Sequence, residues 1–180
     1  MHYFPRNELL YFILFMKIRQ ATLQDISLIH QLADIAFRHT YRDILSPEQM
    51  EYMMEWMYSE ESLTRQMGEE GHCYFLAQDE DTFLGYVSVS QEGEDLYHLQ
   101  KIYILPEHQK EGIGKVLFHH ALSYIKDIHP TPCWVELNVN RANPAVGFYH
   151  KMGLHILRQG DFPIGNGFFM NDYIMGIELK

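Results

Sequence analysis

The stretch HQKEGIGKVLF (108–118) places Gly112 and Gly114 one residue apart, Lys115 directly after them, and an apolar helical pattern beyond. Glycines at alternate positions let backbone amides approach a ligand without interference from Cβ, and the following helix contributes free N–H groups and the positive end of its dipole. That combination suits phosphate. Two nucleotide motifs are excluded. Against G-x-x-x-x-G-K-[ST], Gln109 stands where the first glycine belongs and Val116 where the magnesium-binding hydroxyl belongs. Against G-x-G-x-x-G, Leu117 replaces the third glycine. On these residues alone, a ligand-free tight connection from strand to helix fits equally well.

Other reactive side chains are spread without a metal or nucleophile motif. Tyr149 follows Phe148 in GFYHKMG (147–153), where a phenol could donate a proton but where an aromatic on a short helix is ordinarily core. The eleven histidines include no H-E-x-x-H, and the neighbours His119 and His120 point to different sides of a helix, so no metal is expected. Cys73 and Cys133 lie far apart, form no C-x-x-C pair and each open an apolar strand-like run. Neither a disulfide scaffold nor a cysteine nucleophile is indicated, and a reducing cytoplasm is the expected compartment.

The elements that must position these groups fit one domain, since 180 residues with 47% hydrophobic content can bury about 70% of the unfolded surface around a single core. A net charge of −10 disfavours nucleic acid and anionic membranes as partners and mildly favours a cationic one. LLYFILF (9–15) is too short to span a bilayer, and no clean cleavage site follows it. Residues 1–15 read as an N-terminal extension or an upstream start, and Met16 as the opening of a domain that runs to residue 180.

Residues 16–21 alternate like a strand, and Thr22 with Asp25 resembles a helix cap, launching a helix with Ile26, Ile29, Ala33, Ala36 and Phe37 on its apolar face. Ser46-Pro47-Glu48 caps a second helix, and 61–69 forms a shorter third. The period then becomes two: 73–78 and 83–90 form a hairpin, and 96–105 the next strand, ended by Pro106. Val116, Leu117, His120, Ala121, Tyr124, Ile125 and Ile128 follow helical spacing. A strand (133–139), a short helix (144–152) with Gly153 as its C-cap, and strands at 154–160 and 171–179 complete a mixed α/β domain around one sheet.

In this order, LQKIYILPEH, QKEGIGK, VLFHHAL, VELNVN and NPAVGFYHKMGL resemble the GNAT superfamily of N-acetyltransferases, over residues 16–180. Gln109–Gly114 matches its Q/R-x-x-G-x-G/A element and Tyr149–Leu154 its Y-x-K-x-G-[FL] ending. The resemblance implies an α/β fold with a central mixed, mostly antiparallel sheet, flanked by helices and splayed between its fourth and fifth strands. It implies acetyl-CoA as co-substrate and no metal. The diphosphate would meet the amides of Gln109, Lys110, Glu111, Gly112, Ile113, Gly114 and Lys115, and the pantetheine amides would pair with the main chain of Ile102, Tyr103 and Ile104 as a partial strand. Tyr149 would protonate the departing thiolate. Asn143 would contact the coenzyme, with Asn140 a rival, and Asn138 would lie near the pantetheine arm. His150 is given no role.

A base that deprotonates the acceptor is sought among Glu94, Asp95, His98 and Glu136, each of which also reads as an ordinary strand residue. FRHTYRDILSPEQMEYMMEWM (37–57) resembles the first two helices of bacterial spermidine/spermine-type acetyltransferases, which wall the acceptor site. Tyr41, Tyr52 and Trp56 are candidates to bracket an alkyl-ammonium chain, with plain helix packing the competing explanation for Tyr52 and Trp56. Asp43, Glu48, Glu51 and Glu55 would concentrate a polycation. The expected acceptor is a small-molecule primary amine, a polyamine first. A protein N-terminus or lysine is an alternative, as is a non-catalytic acyl-CoA-binding module, and homodimer formation stays open.

Overall fold

The computed structural model describes residues 16–180; the expected extension over residues 1–15 lies outside the described residues. After β1 (Lys17–Gln20), Thr22 and Asp25 form a reciprocal capping box. The spacing predicts one helix from Thr22, but the first turn is a tighter 3-10 turn over Leu23–Asp25, and α1 begins behind it (Ile26–Tyr41). The guanidinium of Arg19 grips the Asp25 carboxylate with two bonds of 2.9 and 2.6 Å, which ties β1 to the turn. α1 buries Ile26, Ile29, Ala33, Ala36 and Phe37, as the periodicity predicts. Ser46 caps α2 (Pro47–Tyr58) through the Gln49 N–H, and Ser59 caps α3 (Glu60–Gly68) through Ser62.

β2 (Cys73–Asp79), β3 (Thr82–Gly93) and β4 (Leu96–Ile104) form a meander; α4 (Ile113–Ile128), β5 (Cys133–Asn140), α5 (Ala145–Lys151), β6 (His155–Gly165) and β7 (Phe168–Leu179) follow. The seven strands lie in the order β1-β2-β3-β4-β5-β7-β6. Among the described residues, only β4 and β5 pair in parallel. One apolar core lies between the sheet and α4, with Tyr149 of α5 part of it; the other lies under α1, α2 and α3. In α4, Leu117, Ala121 and Ile125 are buried as the stripe predicts, and Phe118 joins them, whereas Ile128 at the helix end is 51% exposed.

β4 and β5 pair only where Leu96–His98 faces Trp134–Glu136. Beyond that, β4 follows β3 to Ile104 and β5 follows β7 to Asn140, so the sheet splits. The split starts next to a bulge: Ser88 pairs with Lys101 but Val89 with Leu99, which leaves Gln100 as the extra residue. A bulge adds local twist and resets the in–out alternation. Tyr97 and Leu99 therefore pack beneath α4, while Lys101 turns to the opposite face and bonds Gln66 of α3.

The last two strands form one long hairpin, longer at its tip than the spacing predicts. Pro163 and the glycines read as a loop in sequence, yet β6 is an edge strand, where a missing N–H is tolerated. The turn is Asn166-Gly167, with φ of 49° and 76°, the left-handed pair that a tight hairpin needs. The tip is tethered to α2: the Tyr52 hydroxyl donates to Ile164 O, and Gln49 Nε2 donates to Phe169 O at 2.8 Å.

The Arg19 bond, with help from Thr22, holds the Asp25 carboxyl down at about 2. This folded value lies below the unfolded one of about 3.9, so the stabilisation is present above about pH 4 and is lost as pH falls toward 2. Arg19 is 40% exposed, which screens the pair. Asp25→Asn is expected to cost about 1 kcal/mol at neutral pH, the worth of one cap. It should also flatten the acid limb of a thermal-stability profile, and identical profiles for the two proteins would contradict this account.

Candidate active site

Where β4 and β5 part, a cleft of about 950 Å³ opens. Its walls are β4 from Leu99 to Ile104, the loop into α4, and the face of α5 that carries Phe148 and Tyr149. Gly112 caps α4 in the left-handed region at φ 83°, and Lys110 precedes it at φ 71°. Among the described residues, no protein acceptor meets the N–H groups of Lys110, Glu111, Gly112, Ile113 or Gly114. A run of unsatisfied amides at the positive end of a 16-residue helix is an anion site in search of its anion. A Cβ on Gly114 would meet Ile104 and Phe148 at an ordinary 3.8 Å, so internal packing does not demand glycine. Its absence keeps the helix end approachable.

Tyr149 is buried, and burial first, then Tyr41 nearby, push its phenol well above the ordinary value. It stays protonated at neutral pH. Asn143, also buried, accepts from the Ala145 N–H at 2.9 Å, which holds the start of α5, and it donates toward the Tyr41 hydroxyl at 3.4 Å. Asn140 accepts from the Ala142 N–H at 2.9 Å. Both asparagines thus shape the loop that presents Tyr149.

A second cavity of about 530 Å³ lies across the split, walled by α1, α2, α3 and the β6–β7 hairpin. Tyr41, Tyr103 and Asn138 line both cavities, so the two meet at the gap between the strands. Glu70, Glu92 and Asp172 line the second one, as do Arg65 and Lys101. Arg65 is paired with Glu70 at 2.7 Å. Lys101 is 7% exposed, donates to Gln66 Oε1 at 2.7 Å and lies 5.6 and 5.5 Å from the Tyr58 and Tyr74 ring centres. Burial pulls its ammonium down to about 7.

The expected coenzyme residues Ile102, Tyr103, Ile104, Gln109, Lys110, Gly112, Ile113, Gly114, Lys115, Asn138 and Asn143 all line the larger cleft. Glu111 is the exception, its carboxylate turned to His108 at 3.4 Å. Trp56 lines the smaller cavity, while Tyr52 is occupied in holding the hairpin. Of the base candidates, Glu136 is ion-paired with Arg158 at 2.7 Å, Asp95 lies 3.1 Å from the His129 ring, Glu94 is exposed, and among the described residues only His98 lines either cavity. The carboxylates expected to draw in a polycation also differ. Glu51 is engaged by Arg38 and Asp43 by Arg42, and those facing the smaller cavity come from the turn after α3, from β3 and from β7. Lys101 and Asp172 escape a sequence reading. The only trace of the first is a charge inside an apolar strand, LQKIYIL, and the second sits in a segment of unremarkable alternation.

The Acetyltransferase (GNAT) domain model matches residues 41–161, and the chain belongs to that family: it is an acetyl-CoA-dependent N-acetyltransferase. It is 27% identical to a spermidine N(1)-acetyltransferase of Thermoplasma acidophilum over 78% of this chain and 89% of that one. A peptidyl-lysine N-acetyltransferase, YjaB of Salmonella typhimurium, is 32% identical over 48% of this chain and 52% of its own. The crystal structure of the PaiA N-acetyltransferase from Thermoplasma acidophilum in complex with coenzyme A shares the fold, with TM-score 0.74 and 24% identity over 89% of this chain and 97% of that one.

The Lys101 ammonium titrates at about 7 in the folded protein against an ordinary 10.5. Between these values the unfolded chain binds more protons than the folded one, so stability rises with pH from about 7 to about 10. Lys101→Met is expected to raise the melting temperature at pH 7 and to abolish that rise, because Tyr74 still satisfies Gln66 Oε1. Melting curves from pH 6 to 10 test this; a destabilised variant that keeps the slope would refute it.

Proposed function

We propose that the enzyme acetylates a primary amine of a small polycation, a polyamine in the first instance. The observation that carries this reading is the charge of the smaller cavity. Among the described residues, Glu92 and Asp172 line it with no arginine or lysine within 4 Å, while Arg65 is committed to Glu70 and Lys101 is only partly charged at neutral pH. Two separate carboxylates suit two separate ammonium groups, and the Tyr41 and Trp56 rings can flank the alkyl chain between them. The relative from Thermoplasma acidophilum, named for spermidine, supports the same acceptor.

In this reading the free amides from Lys110 to Gly114 take the diphosphate of acetyl-CoA, and the unpaired edge of β4 at Ile102–Ile104 takes the amides of its pantetheine arm. Asn138 and Asn143 close on the arm from the side of β5 and α5. The thioester then lies at the gap between the strands, in line with an amine in the smaller cavity, which turns an encounter into an oriented attack. Tyr149, kept protonated by burial, supplies the proton for the leaving thiolate.

Gly112→Asp is expected to lower acetyl-CoA affinity by at least 100-fold in calorimetry, since its carboxylate opposes the diphosphate; unchanged binding would remove the loop from the coenzyme site. Tyr149→Phe should bind acetyl-CoA normally while turnover falls about 10²–10⁴-fold, and near-wild-type turnover would exclude the phenol as acid. Thiol release from acetyl-CoA across an amine panel tests the acceptor. Spermidine should lead, with a KM that rises with ionic strength. Activity confined to lysine peptides would move the acceptor to the protein class, and coenzyme binding with no thiol release from any amine would favour the non-catalytic module.

A further inference from the structure

Asp172 is a buried carboxylate that forms no ion pair among the described residues. It sits on β7 between Asn140 of β5 and Gly160 of β6, and it is 4% exposed. Its one hydrogen bond is from Asn138 Nδ2 at 3.2 Å. Arg141, next to the ladder partner Asn140, is turned to Asp161 and acts on Asp172 only from a distance, since no lysine or arginine lies within 4 Å of it among the described residues. Removing a carboxylate from water against a single neutral donor is unfavourable, and burial raises this one accordingly. Such a group is stabilised when a cation arrives from outside.

Its place in the fold says which cation. Asn138, its partner, lines both cavities. Tyr41 also lines both, and its hydroxyl accepts from Asn143 at 3.4 Å. Asp172 thus stands on the acceptor side of the gap, bonded to a residue that also faces the coenzyme side. Of the other titratable groups lining this cavity, Glu70 is paired with Arg65, His72 lies 3.8 Å from Glu70, and Lys101, which faces both cavities, donates to Gln66. His98 lies in the paired part of β4, before the strands separate, with Glu92 at 3.8 Å.

We propose that Asp172 receives the reacting ammonium and takes its proton. This rests on the N-acetyltransferase activity and not on the acceptor being a polyamine. One N–H bond breaks, its electron pair stays on nitrogen, and the proton goes to a carboxylate oxygen of Asp172. The lone pair forms the C–N bond at the acetyl carbonyl as the C–S bond breaks, with its electrons leaving on sulfur. The thiolate takes the Tyr149 proton, and the second proton shed by nitrogen restores the phenol. Asp172 later releases its proton to solvent, so an ammonium and a thioester give an amide, a thiol and one proton.

Asp172→Asn keeps the shape and the contact with Asn138 while removing the charge. Melting temperature and acetyl-CoA binding should hold, while kcat/KM falls about 10²–10⁴-fold at neutral pH, both for spermidine and for the best acceptor of the amine panel. The pH profile separates chemistry from structure. Wild-type kcat/KM should stay level through neutral pH, since the ammonium form is bound. The variant should rise about tenfold per pH unit toward the amine pKa near 10, because only free amine reacts. A variant within about threefold of wild type, or one with the wild-type profile, overturns the proposal. Should the variant not fold, the wild-type profile decides alone: a tenfold rise per unit through neutrality shows that no carboxylate takes the proton. Inert spermidine with the full loss on another cationic amine leaves Asp172 in place and removes only the polyamine reading.

Discussion

The backbone edge that β4 leaves unpaired after His98 is the constraint on which the site depends. Strand N–H and C=O groups inside a protein are ordinarily paired, and here the partner strand diverges while both strands stay fully paired on their outer sides, β4 with β3 and β5 with β7. The sheet keeps its stability from those outer ladders and presents the inner edge to a ligand. The bulge at Gln100 performs two tasks in one residue. It adds twist where the strands must separate, and it changes which face each later side chain meets. Without it, Lys101 would point beneath α4 among Leu117 and Val135 instead of toward Gln66.

Much of the fold was legible because its signals are local. The apolar spacing of α1, the Ser46-Pro47 start of α2 and the two glycines before α4 each report a conformation decided within a few residues. The resemblance carried by the motif order then implied a mixed, mostly antiparallel sheet and its split between the fourth and fifth strands. The cleft-lining segments were legible for the same reason, since the placement of Ile102–Ile104 and of the loop from Gln109 to Lys115 follows from topology. What was hidden is non-local. The 3-10 turn before α1 depends on Arg19 reaching Asp25 from β1, and the hairpin beyond residue 160 depends on β6 being an edge, which no window of sequence discloses. Asn166-Gly167 was a readable signal, masked by the nearby proline.

The acceptor cavity shows the same division. Charges were expected from α1 and α2 because they crowd that stretch of sequence, yet Glu51 spends its charge on Arg38. The groups that face the cavity arrive singly from α3, β3, β4 and β7. Their electrostatic character comes from burial and from the absence or presence of a partner, quantities that exist only after folding. Lys101 and Asp172 are opposite solutions to one problem: the first loses its charge toward neutrality beside Gln66 and two phenol rings, the second keeps a single amide donor and an open side.

The β6–β7 hairpin contributes Phe169, Met170 and Asp172 to the acceptor cavity and no residue to the coenzyme cleft. Its tip is fastened to α2 through two side chains of that helix, Tyr52 and Gln49, each reaching a main-chain carbonyl. Because carbonyls belong to every residue type, the fastening tolerates changed side chains along the hairpin except at Gly165, where a Cβ would come within 2.5 Å of the Tyr52 hydroxyl. In the reading proposed above, Tyr41, Tyr103 and Asn138 serve both sides of the gap, whereas the hairpin is a wall of the acceptor side alone. A point substitution on that wall would then reshape the recipient's cavity without touching the cleft of the donor.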